Sequence, residues 1–360
     1  MTIGEPQHPQ PDFVGAVLAA NLAGFGKYPP NDGSEALLVS ITGWLAGRYG
    51  VAVDPATRIM ALNGSREGLF NALIALCPET KGGKRPVVLM PNPFYQVYAV
   101  AALTVGAEPV YVPATAATGF LPDYAGLPRD VLDRVTIAYL CSPANPQGAV
   151  ASREYWHRLL ALAEKHDFRI FADECYSEIY RTHAPVGVLQ AAAETKTDPE
   201  RVFSFQSLSK RSNLPGLRSG FVAGGPDSLK RIKLLRSYAG APLPSPLQAV
   251  AARAWADEAH VVTNRALYQA KFKAADQVFA GLQGYHGPEG GFFLWLPVAE
   301  GEAAALRLWQ QTGVRVLPGA YLSREVKGDN PGKSYIRVAM VAPIDEMQRG
   351  LIRLRDCLYD

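Results

Sequence analysis

The fold of this chain is decided by residues 204–220, which read SFQSLSKRSNLPGLRSG. An apolar, strand-like segment leads into the hydroxyl residues Ser207 and Ser209 and then into a single lysine, Lys210. A turn rich in glycine and proline follows, and Arg218 comes eight positions after the lysine. Open α/β sheets bind their ligands at the ends of strands, where such polar turns begin. The stretch therefore indicates a ligand site at the end of a strand.

The chemistry of this stretch fits one cofactor. A lysine amine can form a Schiff base with an aldehyde once it has lost its proton, and hydroxyl groups with a guanidinium make a suitable seat for a phosphate. Pyridoxal phosphate is an aldehyde that carries a phosphate, so these residues predict a site for it. A lysine in a polar loop is by itself most often a solvated surface charge. The rest of the chain must therefore supply the other groups that the cofactor needs.

Length and composition limit the class of protein. The chain has 360 residues, which is enough for two packed domains, and its contents of 48% hydrophobic and 19% charged residues are those of an ordinary globular protein. The net charge of +3 is small and the cationic residues are dispersed, which does not favour nucleic-acid binding. We therefore expect small-molecule partners, with no nucleic acid and no membrane.

The cysteines and the N-terminus bear on the compartment. Cys77, Cys141, Cys175 and Cys357 show no CxxC spacing and mostly lie in apolar segments, which favours buried free thiols over disulfides or zinc ligands. No metal site is predicted. The N-terminus lacks a charged-then-apolar signal pattern, and no apolar run reaches about 18 residues. The sequence thus predicts a soluble, cytoplasmic protein.

Short apolar runs alternate with helical stretches from residue 58 onward. Seven of these runs are strand-like, at residues 59–62, 87–90, 109–112, 135–141, 170–173, 202–205 and 221–223. Strands that alternate with crossover helices predict a mostly parallel sheet that is covered on both faces. The predicted class is α/β, with a mostly parallel seven-stranded sheet sandwiched by helices.

The last third of the chain has a different pattern. Helical patterns at 227–238 and 246–282, the second broken at most once, precede strand-like segments at 290–296, 314–317 and 335–338 and helical ones at 302–312 and 344–358. This mixture predicts a smaller α+β domain. We expect an N-terminal arm in residues 1–30, a large α/β domain in 31–245 and the small domain, with the connecting helix, in 246–360.

Two further motifs follow predicted strands. The first, Asn63-Gly64-Ser65-Arg66, leaves a strand and enters a helix, where glycine permits close approach and the first helical N–H groups can bind a phosphate. The second, CSPANPQG at residues 141–148, contains Asn145, which the following proline holds extended so that its amide can donate to a phenolate oxygen. Taken singly, the first is more often a plain helix cap and the second an ordinary Asn-Pro turn.

A fourth motif is the run Asp173-Glu174-Cys175-Tyr176. An aspartate at the end of an apolar strand can pair with a pyridinium N–H and so make the ring an electron sink. Tyr176 can reach the other side of the same ring. The alternative is an aspartate that caps the next helix. Because all four motifs occur in succession on one α/β pattern, together they favour the pyridoxal-phosphate site.

At these residues the chain resembles a class I/II aminotransferase of the fold-type I pyridoxal-phosphate enzymes, from Ile3 to near the C-terminus. The resemblance implies that Lys210 is the catalytic Schiff-base lysine and that Asp173 pairs with the pyridine nitrogen. Asn145 and Tyr176 would contact the phenolic oxygen. Further cofactor contacts are implied for Gly64, Ser65, Arg66, Tyr95, Ser207, Ser209 and Arg218, with Tyr95 stacked on the ring and the others around the phosphate.

The resemblance also extends to the substrate and to a second subunit. Tyr28, in a Tyr-Pro-Pro loop, matches a tyrosine that such enzymes lend to the phosphate of the neighbouring subunit, which implies a homodimer with shared active sites. Arg337 matches the arginine that binds the substrate α-carboxylate, for which a guanidinium offers two parallel hydrogen bonds. Gly4 and Asn145 are expected beside the substrate, Gly4 as a close backbone approach.

Four strings narrow the expected function: IGEPQHP at 3–9, PNPFYQVY at 91–98, DECYSE at 173–178, and residues 207–224. They are similar to those of succinyldiaminopimelate aminotransferases of bacterial lysine biosynthesis. The expected reaction moves an amino group from an amino acid, with L-glutamate as the expected donor, to a 2-oxo acid by a ping-pong mechanism. The expected specificity is that of an N-succinyl-L,L-2,6-diaminopimelate:2-oxoglutarate aminotransferase.

Several alternatives stay open at this stage. Aminotransferase specificity rests on few side chains, so the substrate could instead be aspartate, alanine or an aromatic amino acid. A lyase or synthase on the same fold is a second alternative. The effector-sensing part of some transcription regulators is a third, but the chain shows no basic recognition helix. Arg66, Lys27 and Arg211 are cationic and near predicted site loops, yet each is more commonly a solvated charge.

Overall fold

Seven strands form the central sheet of the structure, a computed structural model that describes residues 1–360. The strands are β1 Ile59–Leu62, β2 Val87–Asn92, β3 Glu108–Pro113, β4 Val135–Cys141, β5 Arg169–Asp173, β6 Val202–Ser207 and β7 Gly220–Ala223. Their order is β1-β7-β6-β5-β4-β2-β3, and only β7 runs antiparallel to its neighbours. The predicted mostly parallel, seven-stranded sheet is confirmed.

Helices cover both faces of this sheet, as the predicted sandwich requires. They are α1 Phe13–Ala20, α2 Glu35–Tyr49, α3 Ser65–Leu76, α4 Gln96–Thr104, α5 Arg129–Leu132, α6 Arg153–His166, α7 Val188–Thr195, α8 Leu208–Arg211, α9 Pro226–Ala239 and α10 Ser245–Trp255. The buried apolar residues of α2, α6, α7 and α10 form one core with one face of the sheet, and those of α3, α4 and α9 form another. Because both faces are covered, the inner strands are apolar throughout.

Local sequence signals set the ends of the first large helix. The Ser34 side chain accepts a hydrogen bond from the N–H of Leu37 at 3.4 Å and so caps the N-terminus of α2. Gly50 ends α2 in the left-handed conformation, with φ of 68°. A serine cap and a left-handed glycine therefore set the two ends of this helix.

A second, smaller sheet lies near the C-terminus. It contains β8 Phe293–Pro297, β9 Leu317–Pro318 and β10 Tyr335–Ala339 in the antiparallel order β8-β10-β9, packed with α11 Ala259–Val278, α12 Gly301–Thr312 and α13 Ile344–Leu358. Two predicted strands are shorter in the structure. The strand predicted at 290–296 begins only at Phe293, and the one predicted at 314–317 is replaced by the two-residue strand β9. Gly291 leaves the ladder because its φ is +77° and its N–H donates to the Ile179 carbonyl at 2.8 Å. No helix of the structure is both long and apolar enough to cross a membrane.

The two cores meet along the predicted connecting helix, which breaks once, between Trp255 and Ala259. Residues of α10 such as Trp255 pack into the larger core, whereas Tyr268 and later apolar residues of α11 pack into the smaller one. The core therefore changes C-terminal to the boundary predicted at residue 245. We propose the break between α10 and α11 as the domain boundary. The N-terminal segment contacts both cores: α1 packs on the larger one, and the Met1 carbonyl accepts from the N–H of Ala339 at 2.8 Å.

Candidate active site

A cleft of about 610 Å³ lies at the carboxyl ends of β4, β5 and β6, and the N-terminal arm and β10 also line it. Most of the site residues predicted from the sequence line this cleft: Gly4, Ser65, Arg66, Tyr95, Asn145, Asp173, Tyr176, Ser207, Ser209, Lys210, Arg218 and Arg337. Gly64 directly precedes Ser65 and contacts the Arg218 side chain. Tyr28 does not line the cleft and is fully exposed. Sequence reasoning missed other lining residues, among them Thr2, Glu5, Gln96, Cys175, Phe293 and Tyr321.

Lys210 reaches the cleft from the short helix α8. The oxygen of Ser207, the last residue of β6, accepts a hydrogen bond from the N–H of Ser209 at 3.1 Å and so begins this helix. The Lys210 Nζ donates to the Gly4 carbonyl and lies 5.3 Å from the centroid of the Phe292 ring. The lysine amine thus ends between the arm and an aromatic wall, inside the cleft.

The surroundings of Lys210 favour loss of its proton. Burial lowers the pKa of Lys210, and the guanidinium charges of Arg337 and Arg218 lower it further, against the opposing effects of Cys175 and Glu5. A lysine amine acts as a nucleophile or a base only without its proton. Lys210 is therefore closer to its reactive form than an ordinary lysine is.

Gly4 permits the close approach of the arm to this lysine. A Cβ added at Gly4 would lie 2.5 Å from the Cζ atom of Phe293, which is shorter than real Cβ contacts. Only a residue without a side chain lets the Gly4 carbonyl meet the Lys210 amine at this point. The predicted close backbone approach is present in the structure.

Asp173, the last residue of β5, is buried at the floor of the cleft, and its carboxylate accepts two hydrogen bonds. The Tyr98 hydroxyl donates to its Oδ2 at 2.7 Å, and the N–H of Cys175 donates to its Oδ1 at 3.4 Å. Burial raises the pKa of Asp173, while the hydrogen bonds from Tyr98 and Cys175 and the charge of Lys210 oppose that rise. These donors favour the ionised carboxylate, which is the form that can pair with a protonated ring nitrogen.

The next residue, Glu174, is a buried carboxylate outside the cleft. The Ser204 hydroxyl, the Gln206 side-chain amide at 3.0 Å and the N–H of Val188 at 2.7 Å all donate to it. Burial raises the pKa of Glu174 to about 7. Because successive residues at a strand end point to opposite sides, only the first carboxylate of the Asp-Glu pair serves the cleft.

Tyr98 is the residue that sequence reasoning missed beside Asp173. It lies in the first turns of α4, is fully buried and stacks on Tyr139 with ring centroids 4.3 Å apart. Its only sequence signal is its place three residues after Tyr95, since residues three apart share one face of a helix.

We expect Tyr98→Phe to slow amino transfer by about three- to tenfold at neutral pH, because a hydrogen bond to a charged group is lost while the aromatic stack is kept. The pH dependence of the rate gives a more specific prediction, because the direction of its shift is determined. The carboxylate of Asp173 is present above its pKa and is lost as the pH falls through it. Without the Tyr98 hydroxyl that pKa rises, so the acid limb of the rate profile moves to higher pH. A profile with an unmoved acid limb would contradict this account.

A cradle for an anionic group lies at one end of the cleft. Gly64 has φ of +85°, and a Cβ there would lie 2.2 Å from the Arg218 Nη2, so glycine is required for the guanidinium to lie against the start of α3. The first N–H groups of α3, from Ser65 onward, have no acceptor within the helix. Ser207 and Ser209 add hydroxyls whose oxygens are 3.0 Å apart. This donor set has the chemistry of a phosphate site.

Arg337 projects from β10 into the opposite end of the cleft. Its Nη1 donates to the Asn145 side-chain oxygen at 3.1 Å, its Nη2 donates to the Thr2 carbonyl at 2.7 Å, and its Cζ lies 4.3 Å from the centroid of the Phe293 ring. Its Nε is buried without a hydrogen-bond partner. A buried N–H without a partner is costly, so the protein contacts of Arg337 do not satisfy its guanidinium completely. Asn145 was expected near the phenolic oxygen of the cofactor. In the structure its side chain also accepts a hydrogen bond from Arg337, the residue predicted to bind the substrate α-carboxylate.

Two aromatic residues flank the space between these ends. The Arg66 Nε donates to the Tyr95 hydroxyl, which fixes the Tyr95 side chain beside the cleft. Tyr176 is buried and packs edge to face on Phe292, with ring centroids 5.3 Å apart. A flat ring between the anion cradle and Arg337 would therefore lie among aromatic side chains.

The sequence left open whether Arg66, Lys27 and Arg211 belong to the site. Of these three cationic residues, only Arg66 lines the cleft. Arg211 is buried on the far side of α8, where it pairs with Glu258 and donates to the Ala254 carbonyl at 2.8 Å. Lys27 lies outside the cleft-lining set. Arg211 is thus neither a cleft residue nor the solvated charge that was the more common alternative, because neighbours on a short helix point in different directions.

The residues of the cleft fit pyridoxal phosphate at its phosphate, its ring nitrogen and its aldehyde. The cradle of Gly64, Ser65, Ser207, Ser209 and Arg218 would hold the phosphate, and Asp173 would pair with the ring nitrogen. Lys210 would supply the amine that binds the aldehyde. The aromatic residues Tyr95 and Tyr176 would flank the ring.

The chain matches the family described as aminotransferase class I and II over residues 1–354. It is 31% identical to an LL-diaminopimelate aminotransferase of Dehalococcoides mccartyi, over 98% of this chain and 89% of that protein. Two similar solved structures are an aminotransferase from Neisseria meningitidis (38% identity, TM-score 0.94, 99% of this chain and 90% of that one) and a probable N-succinyldiaminopimelate aminotransferase from Thermus thermophilus (27%, 0.88, 99% and 94%). The chain belongs to the class I and II aminotransferases, which depend on pyridoxal phosphate.

Proposed function

We propose that this aminotransferase acts on amino acids with the 2,6-diaminopimelate skeleton, free or N-succinylated, and passes their amino group reversibly to 2-oxoglutarate. The observation that carries the proposal is the single cleft that combines Lys210, Asp173 and the donor-rich Arg337. The similarity to a protein named LL-diaminopimelate aminotransferase and to one named probable N-succinyldiaminopimelate aminotransferase supports the skeleton. These two names differ in whether the distal amine is free.

Each residue of the cleft has a separate role in amino transfer. Bound pyridoxal phosphate supplies an aldehyde that accepts the amino group and a ring that withdraws electrons from the substrate α-carbon. Arg337 binds the α-carboxylate through paired N–H groups and so orients the α-hydrogen. Lys210 Nζ then takes the proton from the α-carbon, as its lowered pKa favours. Asp173 keeps the ring nitrogen protonated, and Arg218 with the hydroxyls of Ser207 and Ser209 anchors the phosphate.

The distal end of the substrate would meet two charged side chains. Glu5 and Arg66 both line the cleft, and neither forms an ion pair in the structure. The distal end of free diaminopimelate carries one ammonium and one carboxylate, which match a carboxylate and a guanidinium. An N-succinyl group removes the ammonium charge and adds a carboxylate. Glu5 is therefore the side chain most able to tell the two substrates apart.

The test compares amino donors with 2-oxoglutarate as the acceptor: L,L-diaminopimelate, N-succinyl-L,L-diaminopimelate, aspartate, alanine and phenylalanine. We expect the highest kcat/KM for one of the two diaminopimelate forms, at least about tenfold above the values for aspartate, alanine and phenylalanine. A higher value for aspartate, alanine or phenylalanine would refute the proposed skeleton. Release of glutamate together with the 2-oxo product separates amino transfer from a lyase reaction.

Glu5→Gln provides a second prediction on the same substrates. If Glu5 pairs with the distal ammonium, the variant raises KM for free diaminopimelate by about tenfold and leaves KM for the N-succinyl form within about twofold. Gln keeps the size and polarity of the side chain, so the arm itself is preserved. Equal effects on both substrates would show that Glu5 does not read the distal amine.

We further propose that two chains form a homodimer with shared active sites. Tyr28 is fully exposed, and it follows a segment with the exposed apolar side chains Leu22 and Phe25. Exposed apolar clusters of this kind are typical of protein interfaces. Sedimentation equilibrium should give twice the chain mass, and mixing Tyr28→Ala with Lys210→Met chains should restore activity if Tyr28 serves the partner's site. A monomer at micromolar concentration would refute the proposal.

A further inference from the structure

Asn264 lies behind the catalytic lysine with all of its hydrogen-bonding groups engaged. It is on α11 and only 4% exposed. Its Oδ1 accepts from the Asn213 side chain at 3.0 Å and bonds the His8 Nδ1 at 2.8 Å, and its Nδ2 is 3.3 Å from the carbonyls of both Lys210 and Arg211. An asparagine amide has two acceptor positions and two donor hydrogens. Asn264 therefore connects three segments of the chain and has no bonding capacity left.

The two carbonyls that Asn264 binds have no partner within their own helix. The helix α8 ends at Arg211, and the last carbonyls of any helix lack a following N–H group. In a helix of four residues this leaves the backbone of Lys210 dependent on bonds from outside. Asn264 supplies these bonds from α11, so α11 fixes the backbone that carries the catalytic amine.

The N-terminal arm is connected to the same lysine at two points. Gly4 accepts a hydrogen bond from the Lys210 Nζ, and His8, four residues later, bonds Asn264. The His8 ring also packs on Tyr268 of α11, with ring centroids 4.6 Å apart. A series of contacts thus connects the Lys210 amine, through the arm and Asn264, to the Lys210 carbonyl.

A second contact holds the end of α8. Asp257 Oδ1 lies 2.7 Å from His260 Nδ1, and His260 Nε2 lies 2.8 Å from the Ser212 hydroxyl. This order matches a Ser-His-Asp triad, but Ser212 is completely buried, so no substrate can reach it. The three residues instead attach the residue after α8 to the start of α11. His260 also packs on Phe13 with ring centroids 5.7 Å apart, and the Asn213 side chain donates to the Pro9 carbonyl at 3.3 Å, but only Asn264 bonds both His8 and the Lys210 carbonyl.

We propose that Asn264 is a positioning residue for amino transfer, which couples the placement of the N-terminal arm to the placement of Lys210. It touches neither substrate nor cofactor and acts through the Lys210 backbone and through His8. Removing its side chain frees the Lys210 carbonyl and the His8 ring nitrogen together. The Lys210 amine then spends less time at the substrate α-carbon, although the binding groups of the cleft are unchanged.

The test uses Asn264→Ala, with Gln269→Ala as the matched control. Gln269 lies on the same helix, and its amide also binds two loop carbonyls, those of Tyr180 and Arg181 at 3.5 and 3.0 Å, away from the lysine. Asn264→Ala should lower kcat by about ten- to a hundredfold with the donor KM within about twofold. The control should keep kcat within about twofold. Asn264→Asp, which keeps both acceptor bonds but loses both donors, should lower kcat similarly and serves if the alanine variant fails to fold.

A readout without cofactor separates positioning from general loss of stability. In the protein free of pyridoxal phosphate, amide hydrogen exchange should rise in residues 1–10 and in 208–213 for Asn264→Ala, and in neither segment for Gln269→Ala. His8→Phe, which keeps an aromatic ring, should lower kcat, and its effect should be smaller when Asn264 is already alanine. Additive effects of the two substitutions, or faster exchange in only one of the segments, would overturn the proposal.

Discussion

Lys210→Met is expected to reduce amino transfer by about 10⁴-fold or more, the largest loss of any single substitution in this chain. Methionine has nearly the length of lysine and fills the same space beside Phe292, but it has no amine. The variant loses both the group that binds the cofactor aldehyde and the base that takes the α-proton. The measurement is the amount of 2-oxoglutarate released from L-glutamate by the enzyme with pyridoxal phosphate and no second substrate. It should match the enzyme concentration for the wild type and be undetectable on the same timescale for the variant.

The fold should survive this change. Burial lowers the pKa of Lys210, so the folded protein gains little from its charge, and an uncharged side chain of similar size suits the same space. We therefore expect the thermal unfolding midpoint of the cofactor-free variant to equal or exceed that of the wild type. Lys210→Met that keeps more than about a hundredth of the wild-type rate would refute its assignment as the catalytic base.

The parts of the site that local chemistry determines could be predicted from the sequence. Asp173 ends a strand, Lys210 and Gly64 each follow one within a few residues, and parallel strands bring their carboxyl ends to one edge of the sheet. Alternation of strands and helices is enough to predict that edge. The structure accordingly brings these motifs into one cleft, although Gly64 is more than a hundred residues from the other two.

The rest of the site depends on contacts between distant segments, which no local pattern reports. Tyr98 reaches Asp173 from α4, which shares one core with the apolar side chains on that face of the sheet, and a buried tyrosine in a helix usually indicates nothing but core. Arg337 meets Asn145 because the smaller sheet closes over the larger one. Arg211 was left open from its place beside Lys210, with a solvated charge as the more common alternative, and its side chain is instead buried and pairs with Glu258.

Asp173→Asn is expected to lower kcat/KM by about 10³-fold, equivalent to about 4 kcal/mol in transition-state stabilisation. Asparagine keeps the shape and can still accept the hydrogen bond from Tyr98, but it carries no charge to hold a proton on the ring nitrogen. An unprotonated ring withdraws fewer electrons from the α-carbon, so removal of the α-proton becomes slow. Binding of pyridoxal phosphate should weaken by at most about tenfold, since Arg218, Ser207 and Ser209 still hold the phosphate.

Glu174→Gln distinguishes the charge of Asp173 from the general effect of a buried carboxylate. Both residues are buried and adjacent, but the bonds of Glu174 to Ser204, Gln206 and Val188 lie outside the cleft. Its pKa of about 7 means that the protonated form, which glutamine resembles, is already well populated at neutral pH. Glu174→Gln should therefore keep kcat within about threefold of the wild type. If both variants lost activity equally, the effect would belong to the stability of β5 and not to the ring nitrogen, whereas the expected difference of more than a hundredfold assigns the proton-holding role to Asp173 alone.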